Sequence, residues 1–272
     1  MNCGSSPTVM NEPGAAETAA SDSPAASAPK RLSPTGRAAN RVLHEPAFVL
    51  HSIAWRETSL IVELLTRSHG RVACVAKGAK RPSSAMRGAL MPFAPLNVGF
   101  SGRQELRTLT SAEWLGGMPA PQGNALLCAF YLNELLVRLL PRDDPHPALF
   151  DGYAHALVSL GLDDSPEASL RRFEWLLLRE TGYALDLEHD ADDRPVDADR
   201  MYAMVPGRGF LATDASDAGA VSGHTLIDMA SARYDSTRTL AEAKRLTRNL
   251  LARQLDGQVL KTRQILMDLH KR

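Results

Sequence analysis

Short segments of alternating apolar and polar residues follow one another between residues 41 and 116 and predict β-strands. Five candidates cover residues 47–53, 59–66, 72–76, 96–100 and 106–112, with turn signals such as His69-Gly70 and Ser101-Gly102 between them. Periodicity leaves the second candidate open to a helix, and the turn after it favours a strand. Five short strands with a long connection between the third and fourth predict a small barrel of the OB type, and an SH3-like barrel fits the same pattern.

The periodicity becomes helical after a linker that contains Pro119 and Pro121. Residues 124–140 are apolar on nearly all sides, which predicts a buried helix that Pro141 ends. Further helices are predicted at residues 146–160, from the Ser165 cap to Gly182, from the Ser236 cap to Asp256, and at the end of the chain.

The predicted fold class is therefore α+β, with an OB-type barrel at residues 41–116 followed by an α-helical domain at residues 117–272. Residues 183–225 are acidic and rich in loop-forming residues, and a hairpin is predicted at residues 201–211. Residues 1–40 are rich in Pro, Ala and Ser and poor in large apolar side chains. Such a segment buries too little surface to offset its ordering entropy, so it is predicted to be a disordered leader.

The compartment follows from what the chain lacks. It has no apolar run of the roughly 20 residues that a membrane span needs, and no signal-peptide pattern at its start. Its three cysteines, Cys3, Cys74 and Cys128, have neither disulfide-framework nor zinc-ribbon spacing. These features predict a cytoplasmic protein without a membrane partner.

The formal net charge of zero conceals a segregation of charge along the chain. Residues 41–115 carry ten basic and five acidic side chains, residues 116–200 carry seven and sixteen, and residues 201–272 carry eleven and seven. A basic first domain is expected where one part of a protein meets phosphate, although an acidic block is also what a solvated face looks like.

The segment between the third and fourth strands gathers Lys77, Lys80, Arg81 and Arg87 within eleven residues, with no acid among them. A predicted loop of this kind offers mobile cations to a nucleic-acid backbone without reading bases. An ordinary solvated loop is the alternative, and the position on an OB-type barrel favours DNA binding because that fold binds single strands.

Two further clusters lie in predicted helices. Arg238, Arg245 and Arg248 share one face of the long fourth helix, and this basic side is either solvated or a continuation of a DNA path. Arg171 and Arg172 stand beside Leu170 and Phe173, a combination suited to a peptide that ends in an apolar residue and a carboxylate. The alternative is that these arginines pair with neighbouring acids while the apolar residues form core.

No motif of an enzyme is found. The phosphate-binding loop, the dinucleotide fingerprint and the hydrolase and metalloprotease signatures are all missing, so no catalytic residue is predicted. His189, Asp190, Asp192 and Asp193 could in principle hold a cation, but they lack the longer fixed spacing of a calcium loop, and a solvated acidic loop is favoured.

Several of these segments together resemble the RecO family of recombination proteins. The resemblance covers residue 45 to the C-terminus and rests on the order of its motifs, since no single one is diagnostic. The motifs are Ala47-Phe48-Val49-Leu50-His51, Ala76-Lys77-Gly78-Ala79 and Arg87-Gly88-Ala89-Leu90-Met91-Pro92-Phe93, then Tyr131-Leu132-Asn133-Glu134, Leu170-Arg171-Arg172-Phe173-Glu174 and Ala243-Lys244-Arg245-Leu246-Thr247-Arg248.

The resemblance implies a mediator of recombinational repair with an OB-fold and a helical domain. Such a protein binds single- and double-stranded DNA, anneals complementary strands, binds the tail of single-strand-binding protein, and with RecR promotes RecA loading. Many relatives hold zinc with four cysteines, but residues 183–225 contain none here, so no metal or cofactor is expected. The alternative function is an adaptor whose barrel binds protein and not DNA.

Overall fold

The computed structural model describes residues 41–162, 166–214, 217 and 219–269. The predicted leader at residues 1–40 and the predicted cap residue Ser165 lie outside the described residues.

Five strands form a closed barrel in the first part of the described chain. Strand β3 pairs with β5 in parallel, and β1 closes the barrel by pairing with β4. This order, β1-β2-β3-β5-β4, is that of the OB-fold and excludes the SH3-like alternative. All five predicted strands are confirmed, with bounds of Arg41–Trp55 (β1), Ser59–Thr66 (β2), Gly70–Ala76 (β3), Leu96–Ser101 (β4) and Leu106–Trp114 (β5).

Strand β1 contributes side chains to two hydrophobic cores, that of the barrel and that of the helical domain. Because side chains alternate between the faces of a strand, Val49 points into the barrel while Phe48 and Leu50 pack on the helical domain. All three are buried, which accounts for the apolar run in the sequence. Beyond a register shift between Val49 and His51, the strand continues to Trp55 as an exposed ribbon paired with β2.

The helices follow the barrel, apart from a five-residue helix, α1 (Ala85–Ala89), inside the long β3–β4 connection. The predicted helices are confirmed as α2, α3, α4, α6 and α7, whereas α1 and α5 were not predicted. None of the helices in the described ranges combines the length and apolarity needed to cross a membrane. Their bounds are Gly123–Leu139 (α2), Pro147–Gly161 (α3), Pro166–Glu180 (α4), Gly223–Ala230 (α5), Thr237–Gln254 (α6) and Lys261–Leu269 (α7).

The acidic insertion contains a small sheet. The predicted hairpin is confirmed as β6 (Met201–Val205) and β7 (Gly209–Thr213), and a two-residue strand, β8 (Val221–Ser222), pairs with the other edge of β6. The hydroxyl of Ser222 then accepts a hydrogen bond from the Thr225 amide and caps α5.

Ion pairs and a close backbone approach join the barrel to the helical domain. Arg142, which follows α2, donates two hydrogen bonds to Glu63 on β2 at 2.9 and 3.0 Å, and Arg71 on β3 bonds the same carboxylate. Gly70 adopts φ +67, and a Cβ atom there would lie 2.1 Å from the carbonyl oxygen of Asp144, so only glycine fits. The end of the barrel that holds Gly70 is therefore covered by the helical domain.

Candidate nucleic-acid surface and partner cleft

The basic segment, defined here as residues 77–87, lies at the opposite end of the barrel, where β3 ends. The backbone amide of Lys80 donates to the Thr58 carbonyl at 2.9 Å, and that of Gly78 to the Ser59 hydroxyl at 3.4 Å. These bonds tie the basic segment to the turn between β1 and β2. Buried Ala76 and Ala79 anchor its start.

The four predicted cations, Lys77, Lys80, Arg81 and Arg87, are all exposed. Within the described ranges, none of their side chains makes an ion pair or a hydrogen bond. The sequence predicts a loop throughout, but Arg87 lies in α1. Among the described residues, the four cations are thus exposed and unpaired within one eleven-residue segment.

The basic face of α6 divides between two surroundings. Arg245 donates to the backbone carbonyl of Ala220, next to β8. Arg248, three residues later, lines a cleft on another side of the helical domain together with Leu251. Arg238 pairs with Glu242 one turn away at 3.0 Å. The three arginines therefore do not form a single path.

This cleft has a volume of about 860 Å³ and lies between α2, α4, α6 and the start of α7. Its walls are largely apolar, and its cations stand among apolar side chains. Within the described ranges, Arg248 and Arg263 make no ion pair, while Lys244 lies 3.3 Å from Glu167. The apolar lining comprises Leu170, Leu240, Leu251, Leu255, Val259 and Leu260.

Arg171 stands in the cleft with its charge already paired. It is 7% exposed and donates to Glu174 at 2.7 Å and to Thr247 at 3.3 Å. Glu174 also accepts from Tyr131 at 2.7 Å and from Thr247 at 2.5 Å. Burial, and then the neighbouring Glu174 carboxylate, raise the pKa of Tyr131, so its hydroxyl remains a donor. The Nε atom of Arg171 is buried with no partner among the described residues.

Arg172 points elsewhere. Its Nε donates to the carbonyl of Ala232 at 3.2 Å, and its guanidinium lies 5.6 Å from the ring centroid of Tyr234. Consecutive helical residues are separated by about 100°, so neighbours in sequence face different surroundings. The structure therefore does not bring the two predicted partner-binding arginines together.

Glu134 of α2 holds α7 in place at the edge of the cleft. Its carboxylate accepts from the backbone amides of Lys261 and Thr262, both at 2.9 Å, and from the Thr262 hydroxyl at 2.8 Å. Burial alone would raise the pKa of Glu134, but these hydrogen bonds outweigh it and lower the pKa below its usual value. The first turn of α7, which carries Arg263, is thereby fixed to α2.

The acidic loop uses its carboxylates internally. Asp190 accepts from the amides of Asp192 and Arg194 at 2.9 and 3.0 Å, and Asp192 pairs with Arg194 at 3.4 Å. His189 contacts Asp186 at 3.3 Å. Among the described residues, no three His, Cys, Asp or Glu side chains converge as a metal site requires.

These features define a class: an OB-fold protein with a free basic end, joined to a helical domain that contains a charged apolar cleft. The family models for recombination protein O match this chain in two blocks, the N-terminal model at residues 41–118 and the C-terminal model at residues 120–264.

Curated relatives agree over nearly the whole chain. The DNA repair protein RecO of Burkholderia pseudomallei (strain 1710b) is 48% identical over 267 residues, 97% of this chain and 96% of that protein. That of Azoarcus sp. (strain BH72) is 51% identical over 235 residues, 84% of this chain and 97% of the relative. The chain belongs to the RecO family of DNA repair and recombination proteins.

Sequence reasoning missed two features. The cleft is built from helices far apart in the chain, so Lys244 and Arg263 gave no local signal. Trp55 lies beyond the predicted first strand at residues 47–53, and it is 41% exposed at the end of β1. Phe48, Phe93 and Phe100 are buried.

Proposed function

We propose that this protein is a non-catalytic recombination mediator that binds single- and double-stranded DNA through the basic segment and anneals complementary strands. We further propose that it binds the tail of single-strand-binding protein in the cleft, and that with RecR it promotes RecA loading at gaps. A protein with these partners would work on the nucleoid, in the cytoplasm.

The observation that carries the DNA-binding proposal is the set of four exposed cations without acidic partners at the uncovered end of the barrel. Lysine and arginine side chains that are not engaged within the protein can neutralise phosphates and release condensed counterions. Because these side chains are not held in a fixed geometry, they can contact the phosphates of DNA of any sequence. Phosphate contacts position DNA without specifying bases. Annealing requires such sequence tolerance.

The cleft supports the second part of the proposal. A tail with apolar residues, acidic residues and a terminal carboxylate would bury its apolar side chains against Leu240, Leu251 and Leu255. Its carboxylates would meet Arg248 and Arg263, which have no ion-pair partner among the described residues. Arg171 then acts as a positioning residue, because its guanidinium is held by Glu174.

A salt titration tests the DNA-binding proposal against the adaptor alternative. We expect the affinity for an unstructured oligothymidylate, measured by fluorescence anisotropy, to fall linearly with salt on logarithmic axes. The slope should be about −0.7 for each phosphate contact. Absence of binding at low salt, with the tail peptide still bound, would favour the adaptor.

A further inference from the structure

The turn between β1 and β2 presents an aromatic side chain beside the basic segment. The last five residues of β1, from His51 to Trp55, are all exposed, and the Trp55 side chain is 41% exposed. The hydrogen bond from the Lys80 amide to the Thr58 carbonyl joins this turn to the basic segment. An indole and a group of cations therefore share one end of the barrel.

The strand register places the indole and the first cation on one side of the sheet. Trp55 faces Ser59 on β2, and the pairing of β2 with β3 ends at Leu60 and Ala76. Lys77 is the next residue along, at the position that would face Ser59, and the Gly78 amide donates to the Ser59 hydroxyl. Residues directly opposite each other on paired strands point to the same face. Two interstrand steps separate the Trp55 and Lys77 backbones by about 10 Å.

This face is the outer surface of the barrel. The next row of paired residues, Ile53, Ile61 and Val75, lies on the same outer surface. Val62 and Cys74, which are adjacent to them in sequence, point into the barrel core. In OB-folds, the face formed by the second and third strands and the loop between the first two strands are surfaces that bind oligonucleotides.

Arg56 adds a further cation to the turn. Its guanidinium lies 6.0 Å from the centroid of the Trp55 ring, and within the described ranges it makes no ion pair. The residue adopts φ 53, a left-handed conformation that asparagine and glycine adopt more readily. Glu57 is the single acid between Trp55 and Ser59.

We infer that Trp55 stacks on a base of single-stranded DNA whose flanking phosphates contact Lys77 and Arg56, and that this contact makes the barrel prefer single strands to duplex. The inference rests on the proposed DNA binding and adds a base-contacting residue to it. An indole can cover an unstacked base, whereas in a duplex both faces of each base are already stacked. Stacking tolerates any sequence, as strand annealing requires.

The test compares Trp55→Ala with Trp114→Ala, a matched control that removes a more exposed tryptophan (66%) at the end of β5. Stacking is worth a loss of roughly tenfold or more per base on alanine substitution. We expect Trp55→Ala to weaken oligothymidylate binding by about tenfold, to leave duplex binding unchanged, and to keep the wild-type salt slope. Trp114→Ala should alter none of the three.

Further measurements make the assignment specific to the ring. An abasic oligonucleotide should bind wild type and Trp55→Ala equally, because no base remains to stack. Oligothymidylate should quench the tryptophan emission of Trp114→Phe but not that of Trp55→Phe. The Trp55→Phe variant should retain most of the affinity, and its melting temperature should equal that of wild type.

Different results separate the failure of the inference from that of the proposed function. If wild type shows salt-dependent binding but Trp55→Ala binds oligothymidylate as tightly as wild type does, the stacking inference is wrong and DNA binding stands. An equal loss on duplex and single strands also overturns it. If wild type binds neither form at low salt, both the inference and the proposed DNA binding fail.

Discussion

The free end of the barrel and the cleft of the helical domain differ in that the cleft adds a buried, paired arginine, Arg171, to exposed arginines such as Arg248. At the barrel end, Arg81 and Arg87 are exposed and have no acidic partner among the described residues. In the cleft, Arg171 is 7% exposed and bonded to Glu174 and Thr247. An exposed cation can follow any phosphate backbone, while a fixed guanidinium presents one geometry. The first state suits a polymer of variable sequence, and the second suits a single, defined ligand.

The largest expected effect is on the cleft. Glu174→Ala would leave Arg171 buried without its counter-charge, and breaking a buried pair in this way costs about 3–5 kcal/mol. We expect the free energy of unfolding, measured by denaturant titration, to fall by that amount. Glu167→Ala is the matched control, because its exposed pair with Lys244 should contribute little.

A double variant sharpens this result. Replacing both partners, with Arg171→Met and Glu174→Leu, should recover part of the lost stability, because no buried charge remains unpaired while the Tyr131 and Thr247 hydroxyls lose their acceptor. If Glu174→Ala were as stable as wild type, the buried pair would not organise the cleft, and the contrast with the barrel end would fail.

The second prediction concerns the barrel end. Replacing Lys77, Lys80, Arg81 and Arg87 by Ala should leave the fold intact, because all four side chains are exposed. Oligothymidylate affinity should drop several hundredfold near 0.1 M salt, since each lost phosphate contact removes about 0.7 from the logarithmic salt slope. Loss of affinity with an unchanged slope would mean that these side chains do not contact phosphate.

The third prediction compares an arginine that lines the cleft with one in the helical domain that lies outside it. Arg248→Ala should weaken binding of a peptide that copies the tail of single-strand-binding protein by about tenfold, the usual value of a charge-assisted hydrogen bond. Arg172→Ala is the control, because that side chain faces Tyr234. Calorimetry with the peptide measures both. An equal effect of the two variants would place the peptide outside the cleft.

The barrel could be predicted from sequence because strand alternation and turn residues are local signals. The predicted second strand, residues 59–66, matches β2 residue for residue. The predicted first strand, residues 47–53, omits residues 41–46 and 54–55 of β1, because most of these residues are exposed and give no apolar alternation. Helix α5 was missed because eight residues after an irregular loop give little periodicity.

The candidate site was only partly predictable. The basic segment is contiguous in sequence, so its four cations could be named together. The cleft combines residues from Asn124 to Arg263, and no local pattern records that they meet. Arg171 and Arg172 are adjacent in sequence, yet helix geometry sends one into the cleft and the other toward Tyr234. Tertiary packing, which no local sequence pattern reveals, decided both outcomes.

The smallest expected effect is on the edge of the cleft, where Glu134 accepts hydrogen bonds from the first turn of α7. Glu134→Gln should cost about 1 kcal/mol, the usual value of a helix cap. Because the folded-state pKa of Glu134 is lowered, its contribution is present above the unfolded-state pKa and is lost as the pH falls through the folded value. The stability difference between wild type and Glu134→Gln should therefore shrink on acidification below about pH 4. Denaturant titrations from pH 7 to pH 3 measure that difference, and hydrogen exchange at the Lys261 and Thr262 amides locates it in α7. A difference that stays constant with pH would show that the carboxylate charge does not hold α7, and the cleft would then lack its fixed edge.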